Sequence, residues 1–301
     1  VTALAHRPNR PRRTAERFAP YIFAAGAALY LLVFTAAPLL NGGWLSFTNT
    51  KLLNPDGGDV IGIANYRSLF ADARFYHTLL VTVIYSVATV AGSLVLGTAG
   101  AVVLDQPFRG RALARAILAL PWAAPTVAVV LIFVWIFNND NGILNQFTGG
   151  LGLGRHGWLT DPVLALPMVV AVSIWKVFPF VLLVVLAALQ AVPRDLWESA
   201  RVDGASAITI FRRITLPFLV PTLRVVALLM TIWSFRRFEI IWLLTQGGPV
   251  DSTNTLVIDV YREAFINSDL GMSAATGAVG LLLSVLATAV YAVVERRADN
   301  V

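Results

Sequence analysis

The stretch running from Glu198 to Pro221, ESARVDGASAITIFRRITLPFLVP, lies between two long apolar runs. Its polar character there makes it a loop between membrane spans. Asp203-Gly204 is a turn signal, because glycine accepts backbone angles that other residues avoid and aspartate bonds nearby backbone groups. Beyond the turn, Ala205, Ile208 and Phe211 recur at helical spacing and predict a short helix, with Arg201, Arg212 and Arg213 keeping the flanks cationic. Pro217 and Pro221 are expected to end that helix or to open the next span. By charge alone this is a basic, proline-flanked connection of a kind common between membrane spans.

The chain around it has 301 residues, of which 57% are apolar and 13% charged. That balance is too apolar for a soluble domain and gives enough length for several spans, so an integral membrane protein is expected. There is no cysteine, which excludes disulfides, thiolate catalysis and cysteine-based metal sites. His6, His77 and His156 are scattered, without the spacing a metal pair needs. The formal charge of +6 is consistent with nucleic-acid binding in a soluble protein. In a membrane protein, surplus arginine marks cytoplasmic loops instead, and no nucleic-acid partner is expected.

Taken in order, residues 1–20 carry Arg7, Arg10, Arg12, Arg13 and Arg17 among prolines and read as a flexible basic tail. Arg12-Arg13 has the look of a twin-arginine export signal, but no small-residue cleavage site follows, so Tyr21 to Leu40 is expected to stay as the first span. Residues 21–301 read as one transmembrane domain. The polar run from Asn41 to Phe75 is a loop with a turn cluster at 54–58. Thr78 to Leu104 is the second span, with Gly92, Gly97 and Gly100 permitting close helix approach. Ala112 to Phe137 is the third, kinked at Pro121 and Pro125. A Gly- and Asn-rich stretch follows, in which Leu144 and Phe147 suggest a short surface helix. Pro162 to Leu189, Phe218 to Leu244 and Gly271 to Val294 complete six spans.

Six spans put both termini on one side. That side would hold fourteen arginines, one of them, Arg115, in the first turn of the third span, and the opposite loops only five cations, Lys51, Arg67, Arg74, Arg155 and Arg262. The positive-inside rule therefore places the termini and the Glu198 loop in the cytoplasm of a multi-pass cell-membrane protein.

The Glu198 loop resembles the E-A-A-x-x-x-G loop in the membrane-spanning subunits of bacterial ABC importers. The resemblance rests on Pro193, Asp195, Leu196, Glu198, Ala200, Asp203-Gly204-Ala205, Phe211, Ile214, Leu216-Pro217 and Pro221, with Ser199 where the family has alanine. It implies an all-α permease of the type I ABC importer fold, with six transmembrane helices and a cytoplasmic coupling helix in a loop over about 193–217. In the family that helix seats in a cleft of the ATP-hydrolysing subunit, so Glu198, Ser199, Ala200, Arg201, Asp203, Gly204, Ala205, Ile208 and Phe211 become the expected ATPase contacts. The resemblance also implies two ATPase copies, a second homologous permease and an extracytoplasmic binding protein. The chain itself has no phosphate-cradling loop: its only lysines are Lys51 and Lys176, and neither follows a glycine turn. It is expected to bind no cofactor, ATP belonging to the partner subunit, and not to be an enzyme.

Polar residues inside a span are costly and point to a cavity or a protein contact. Ser173, Lys176, Val177 and Phe180 share one helical face of the fourth span, and Met230, Trp233, Ser234 and Arg237 repeat the spacing in the fifth. Two readings are open on the residues alone: a lined cavity, or Lys176 and Arg237 paired with an acid such as Glu239 or reaching an interface while Trp233 packs. The run from Ser173 to Phe180, and the run from Leu216 to Gly247-Gly248-Pro249, are similar to the carbohydrate branch of these permeases, of maltose and trehalose type. That resemblance implies a sugar held by these eight residues, a disaccharide such as trehalose or maltose. The chemistry suits it, since aromatic rings cover the C–H face of a pyranose while Ser, Lys and Arg meet its hydroxyls. Trp122 and Trp135 read rather as packing or interfacial anchors. The loop from Thr245 to Pro249, with Asp251 and Thr253, is placed outside, where a sugar-binding protein would dock. An ion-driven secondary transporter would need acidic or histidine relays in its spans, where Glu239 stands nearly alone. A membrane enzyme would need catalytic groups that the spans lack.

Overall fold

The computed structural model describes residues 14–298. Among them no strand forms beyond isolated bridges such as Thr48 with Val60. Arg7, Arg10, Arg12 and Arg13 of the expected tail lie outside the described residues. Helix α1 (Thr14–Leu31) begins ahead of the expected start at Tyr21 and runs through a π-turn, Leu32–Ala36, into α2 (Ala37–Leu45). The widened turn closes with the Ala37 N–H on the Leu32 carbonyl just before Pro38, which has no N–H of its own to donate.

Helix α3 (Ala64–Ala71) leads through Asp72, whose carboxylate accepts the Arg74 N–H, into α4 (Ala73–Asp105). Helices α5 (Arg111–Ala123) and α6 (Thr126–Ile136) follow, then the short α7 (Ile143–Gly150), which carries Leu144 and Phe147 as expected. Next come α8 (Ala165–Leu189), α9 (Arg194–Val202) and α10 (Ala207–Ile210); the last passes through a second π-turn, Phe211–Thr215, into α11 (Leu216–Phe235). Helices α12 (Glu239–Thr245), α13 (Leu256–Tyr261) and α14 (Leu270–Ala298) complete the chain. Five helical stretches are long and apolar enough to cross a bilayer, and the α5–α6 pair makes a sixth crossing when taken together.

Three expectations change. The third span is not a kinked helix: α5 and α6 meet at 94°. Ala124 turns to extended backbone ahead of Pro125, the conformation a following proline favours. The fifth span is not continuous to Leu244, because α11 stops at Phe235 and α12 restarts at Glu239 beyond Arg236–Phe238. Pro217 stands in the first turn of α11, as expected of a residue that opens a span, but neither it nor Pro221 ends a helix; Ala207–Phe235 is one rod. The second π-turn absorbs Pro217 as the first absorbs Pro38, by bonding the Leu216 N–H back to the Phe211 carbonyl.

Helix α8 is the axis of the bundle. Its Val177, Val181, Leu182, Val185, Leu186 and Leu189 pack with Ala101 and Leu104 of α4 and with Leu219, Val226 and Met230 of α11. The approach of α4 to α8 is set by glycine: a Cβ on Gly97 would lie 2.5 Å from the Val181 Cβ. Without a hydrophobic force between helices in lipid, such close backbone contact supplies the association. A second cluster joins Tyr85, Val130, Val169, Val172, Ile240, Ile241 and Ile258, and so seats α6 and α12 on α4 and α8.

At the end of the bundle where α4 begins, ion pairs tie the 246–255 loop down. Asp251 receives Arg74 at 2.9 Å and Arg262 at 2.5 Å, and Asn254 Nδ2 bonds Thr78 and Asp259. Burial pushes the Asp251 carboxyl up, but the hydrogen bonds and charges of Arg262 and Arg74 more than offset it and hold it below the usual carboxylate range. A depressed carboxylate contributes stability that is present above its unfolded value, about 3.9, and is lost as pH falls through the folded one. Acidification below about pH 4 is therefore expected to speed amide hydrogen exchange over 246–262, and Asp251→Asn to give that faster exchange already at neutral pH. Identical exchange in wild type and Asp251→Asn would show that these pairs do not hold the loop.

Candidate functional site

The breaks in the third and fifth spans face each other across α8. Because Pro125 has no N–H, the Pro121 carbonyl loses the donor it would have in a continuous helix. Lys176 of α8 replaces it. Its ammonium donates to Pro121 O at 2.8 Å, Trp122 O at 3.1 Å and Ala124 O at 2.6 Å. A cation on the last carbonyls of a helix is favoured by the helix dipole as well. Lys176 neither pairs with Glu239 nor reaches an interface; it is buried at 5% exposure and fixes the end of α5.

That end presents Trp122. Its ring lies 5.3 Å from Phe180 of α8 and stacks 5.9 Å from Trp233 of α11, while Phe180 and Trp233 are 4.9 Å apart. Trp122, Trp233, Arg236, Arg237, Phe238 and Glu239 line a cavity of about 530 Å³. Of the eight residues expected to hold cargo, the structure brings Trp233 and Arg237 to this cavity, and Phe180 backs its two tryptophan rings. Ser173 is buried with its hydroxyl on Tyr85 at 2.9 Å, and Ser234 donates to the Thr231 carbonyl at 2.8 Å. Val177 and Met230 are interior packing. Trp122 joins the site although the sequence reads it as an anchor, and Arg236, Phe238 and Glu239 were not expected there. The consecutive charges at 236, 237 and 239, near the end of an apolar run, were the available signal.

The segment expected to couple forms a helix-turn-helix, with its longer arm, α9, ahead of the turn and not after it. Pro193 precedes the first helical residue and Asp195 sits in the first turn, both typical of a helix start. Gly204 ends the arm at φ +77°, and the Ala205 N–H bonds back to the Ala200 carbonyl at 2.9 Å. Ser206 then caps α10 by accepting the Thr209 N–H. Glu198, Ser199, Arg201, Asp203 and Gly204 are exposed, and Ala200 and Ala205 half-buried. Val202 at 87% and Ile208 at 71% exposure make an apolar tip. Ile208 and Phe211 do not share a face: Phe211 is half-buried and turns toward Leu94, Thr98 and Val102 of α4. On its other side α9 borders a cleft with Asp105, Gln106 and Arg111 of the α4–α5 turn, into which Trp197, Glu198 and Arg201 face.

An exposed helical tip joined by one rod to a cavity between broken spans defines a membrane permease, a protein that moves cargo and performs no bond chemistry. Residues 93–300 match the family described as binding-protein-dependent transport system inner membrane component. The chain belongs to that family: it is a multi-pass inner-membrane permease subunit of an ABC importer and not itself an enzyme. It is 34% identical over 284 residues to the sulfoquinovosyl glycerol transport system permease of Agrobacterium fabrum, covering 94% of this chain and 92% of that one. It is 33% identical to the trehalose/maltose transport system permease of Thermococcus litoralis, covering 92% and 93%. In fold it is similar to a chain of a bacterial ABC transporter involved in the import of the acidic polysaccharide alginate, with TM-score 0.83 at 23% identity, covering 95% and 98%. The architecture is the type I ABC importer permease fold.

Proposed function

We propose that this permease passes a carbohydrate of disaccharide size, on the scale of trehalose or maltose, from an extracytoplasmic binding protein into the cytoplasm. The observation that carries the reading is the aromatic wall of Trp122 and Trp233, backed by Phe180, beside Arg237 in a cavity of about 530 Å³. Aromatic faces suit the C–H face of a pyranose, and the volume falls in the range of small-molecule sites. The names of the Thermococcus and Agrobacterium relatives, both transporters of glycosyl compounds, support it.

In this reading the arginine-rich side is cytoplasmic. The tip at Val202 and Ile208 seats in an ATPase subunit, present in two copies, and a second homologous permease closes the other half of the passage. ATP binds and is hydrolysed in the partner. Its closure moves the tip, the rod from Ala207 to Phe235 carries the motion, and the cavity at the rod's far end opens alternately to each side.

The test is uptake of labelled saccharides by cells with and without the chain, together with Trp233→Ala. Uptake is expected to need the chain, and Trp233→Ala to raise KM by about tenfold, the loss of one aromatic contact beyond its area burial. No chain-dependent uptake of any saccharide, neutral or charged, would overturn the reading.

A further inference from the structure

Resting on that reading, the geometry points to a narrower substrate class: we infer that the cargo is an anionic saccharide, carrying a carboxylate, sulfonate or similar oxyanion that Arg237 and Arg236 receive.

Arg236, Arg237 and Glu239 are the charged groups lining the cavity, and Lys176 lies within electrostatic reach of Arg237 and Glu239. Three cations thus stand around one carboxylate. Lys176 is held by carbonyls, which satisfy its donors without cancelling its charge. Among the described residues the ion pairs are those of Lys51, Arg74 and Arg262, and neither Arg236 nor Arg237 has a carboxylate within pairing distance. The Arg237 Nε is buried and meets no acceptor. An intramembrane cation without a counter-charge is costly, and such residues mark the path of what they bind.

Hydrogen-bond chemistry points the same way. A neutral sugar presents hydroxyls that both donate and accept, and is best met by groups that do both. The Ser173 and Ser234 hydroxyls are already engaged with Tyr85 and Thr231. What remains in the cavity lining is guanidinium and the indole N–H of Trp122 and Trp233, all of which only donate, with Glu239 as the one acceptor side chain. A planar fork of N–H groups between aromatic walls fits a planar or tetrahedral oxyanion bidentately.

The complete importer, with its binding protein and ATPase, is assayed in proteoliposomes for uptake of two labelled probes on one scaffold: trehalose, and trehalose with one CH2OH oxidised to a carboxylate. The acidic probe is expected to be taken up with the lower KM. Arg237→Gln is expected to raise that KM roughly tenfold or more, as losing a hydrogen bond to a charged partner does, and to raise the KM for trehalose by less, so that the preference for the acidic probe is lost. Arg237→Lys keeps the charge and is expected to retain the preference, which separates lost charge from misfolding. Uptake of trehalose alone, or equal loss of both probes in Arg237→Gln, would overturn the anionic assignment while leaving the carbohydrate reading in place. Uptake of neither probe, nor of any other saccharide, neutral or acidic, would remove both.

Discussion

Gly204→Val is expected to abolish cargo uptake while the permease still inserts and accumulates in the membrane. Gly204 sits at φ +77°, in the left-handed region, at the point where α9 reverses into α10. A β-branched residue there costs about 1–3 kcal/mol, and the strain falls on the joint that sets the angle between the two arms. The arms carry the exposed Val202 and Ile208, so a change of angle moves one of them off any surface that receives both. Gly204→Asn is the control, because asparagine tolerates the left-handed region. Uptake, ATPase activity and membrane abundance are measured together in cells expressing each variant. Uptake at least tenfold lower in Gly204→Val, with near-normal uptake in Gly204→Asn, is the expected pattern. Equal uptake by both would mean that the geometry of this joint does not couple.

Lys176→Met is expected to have the other large effect. It leaves the Pro121, Trp122 and Ala124 carbonyls without their shared donor. Hydrogen bonds with a charged partner contribute about 1.5–3 kcal/mol each, so the end of α5 should loosen and Trp122 should leave its place against Phe180 and Trp233. Lower thermal stability in nanodiscs and a raised KM are expected together. Lys176→Arg should recover part of both, because the guanidinium keeps several donors on the same carbonyls. A Lys176→Met protein of wild-type stability and KM would show that the break at Ala124 holds itself.

These two residues also mark the limit of what the sequence discloses. Gly204 was legible, because its turn is written in adjacent residues. The six spans were legible too, since an apolar run long enough to cross a bilayer is a local property. The role of Lys176 was not, because its partners lie 52 to 55 positions away and appear only when α5 and α8 meet. Pro121 and Pro125 look like kink residues in sequence. What makes a right angle of them is a donor supplied from another helix. For the same reason Trp122 reads as an interfacial anchor until the break swings it inward. In the fifth span the helical period gave the right face for Trp233 and Arg237, but not the stop at Phe235 that turns Arg237 and its neighbours into a cavity wall. The longer arm before the bend, α9, is written locally too, in Pro193 ahead of its first residue and Asp195 in its first turn.

The unbroken helix from Ala207 to Phe235 makes its own demand on the machine. Its 29 residues span roughly 44 Å at 1.5 Å each, so a tilt of about 10° around its midpoint carries either extremity roughly 4 Å, on that same length. In the proposed cycle the gearing between fuel and gate is then a matter of stiffness and pivot position, and a flexible insertion near Pro221 is expected to leave each end intact while letting the stroke dissipate between them.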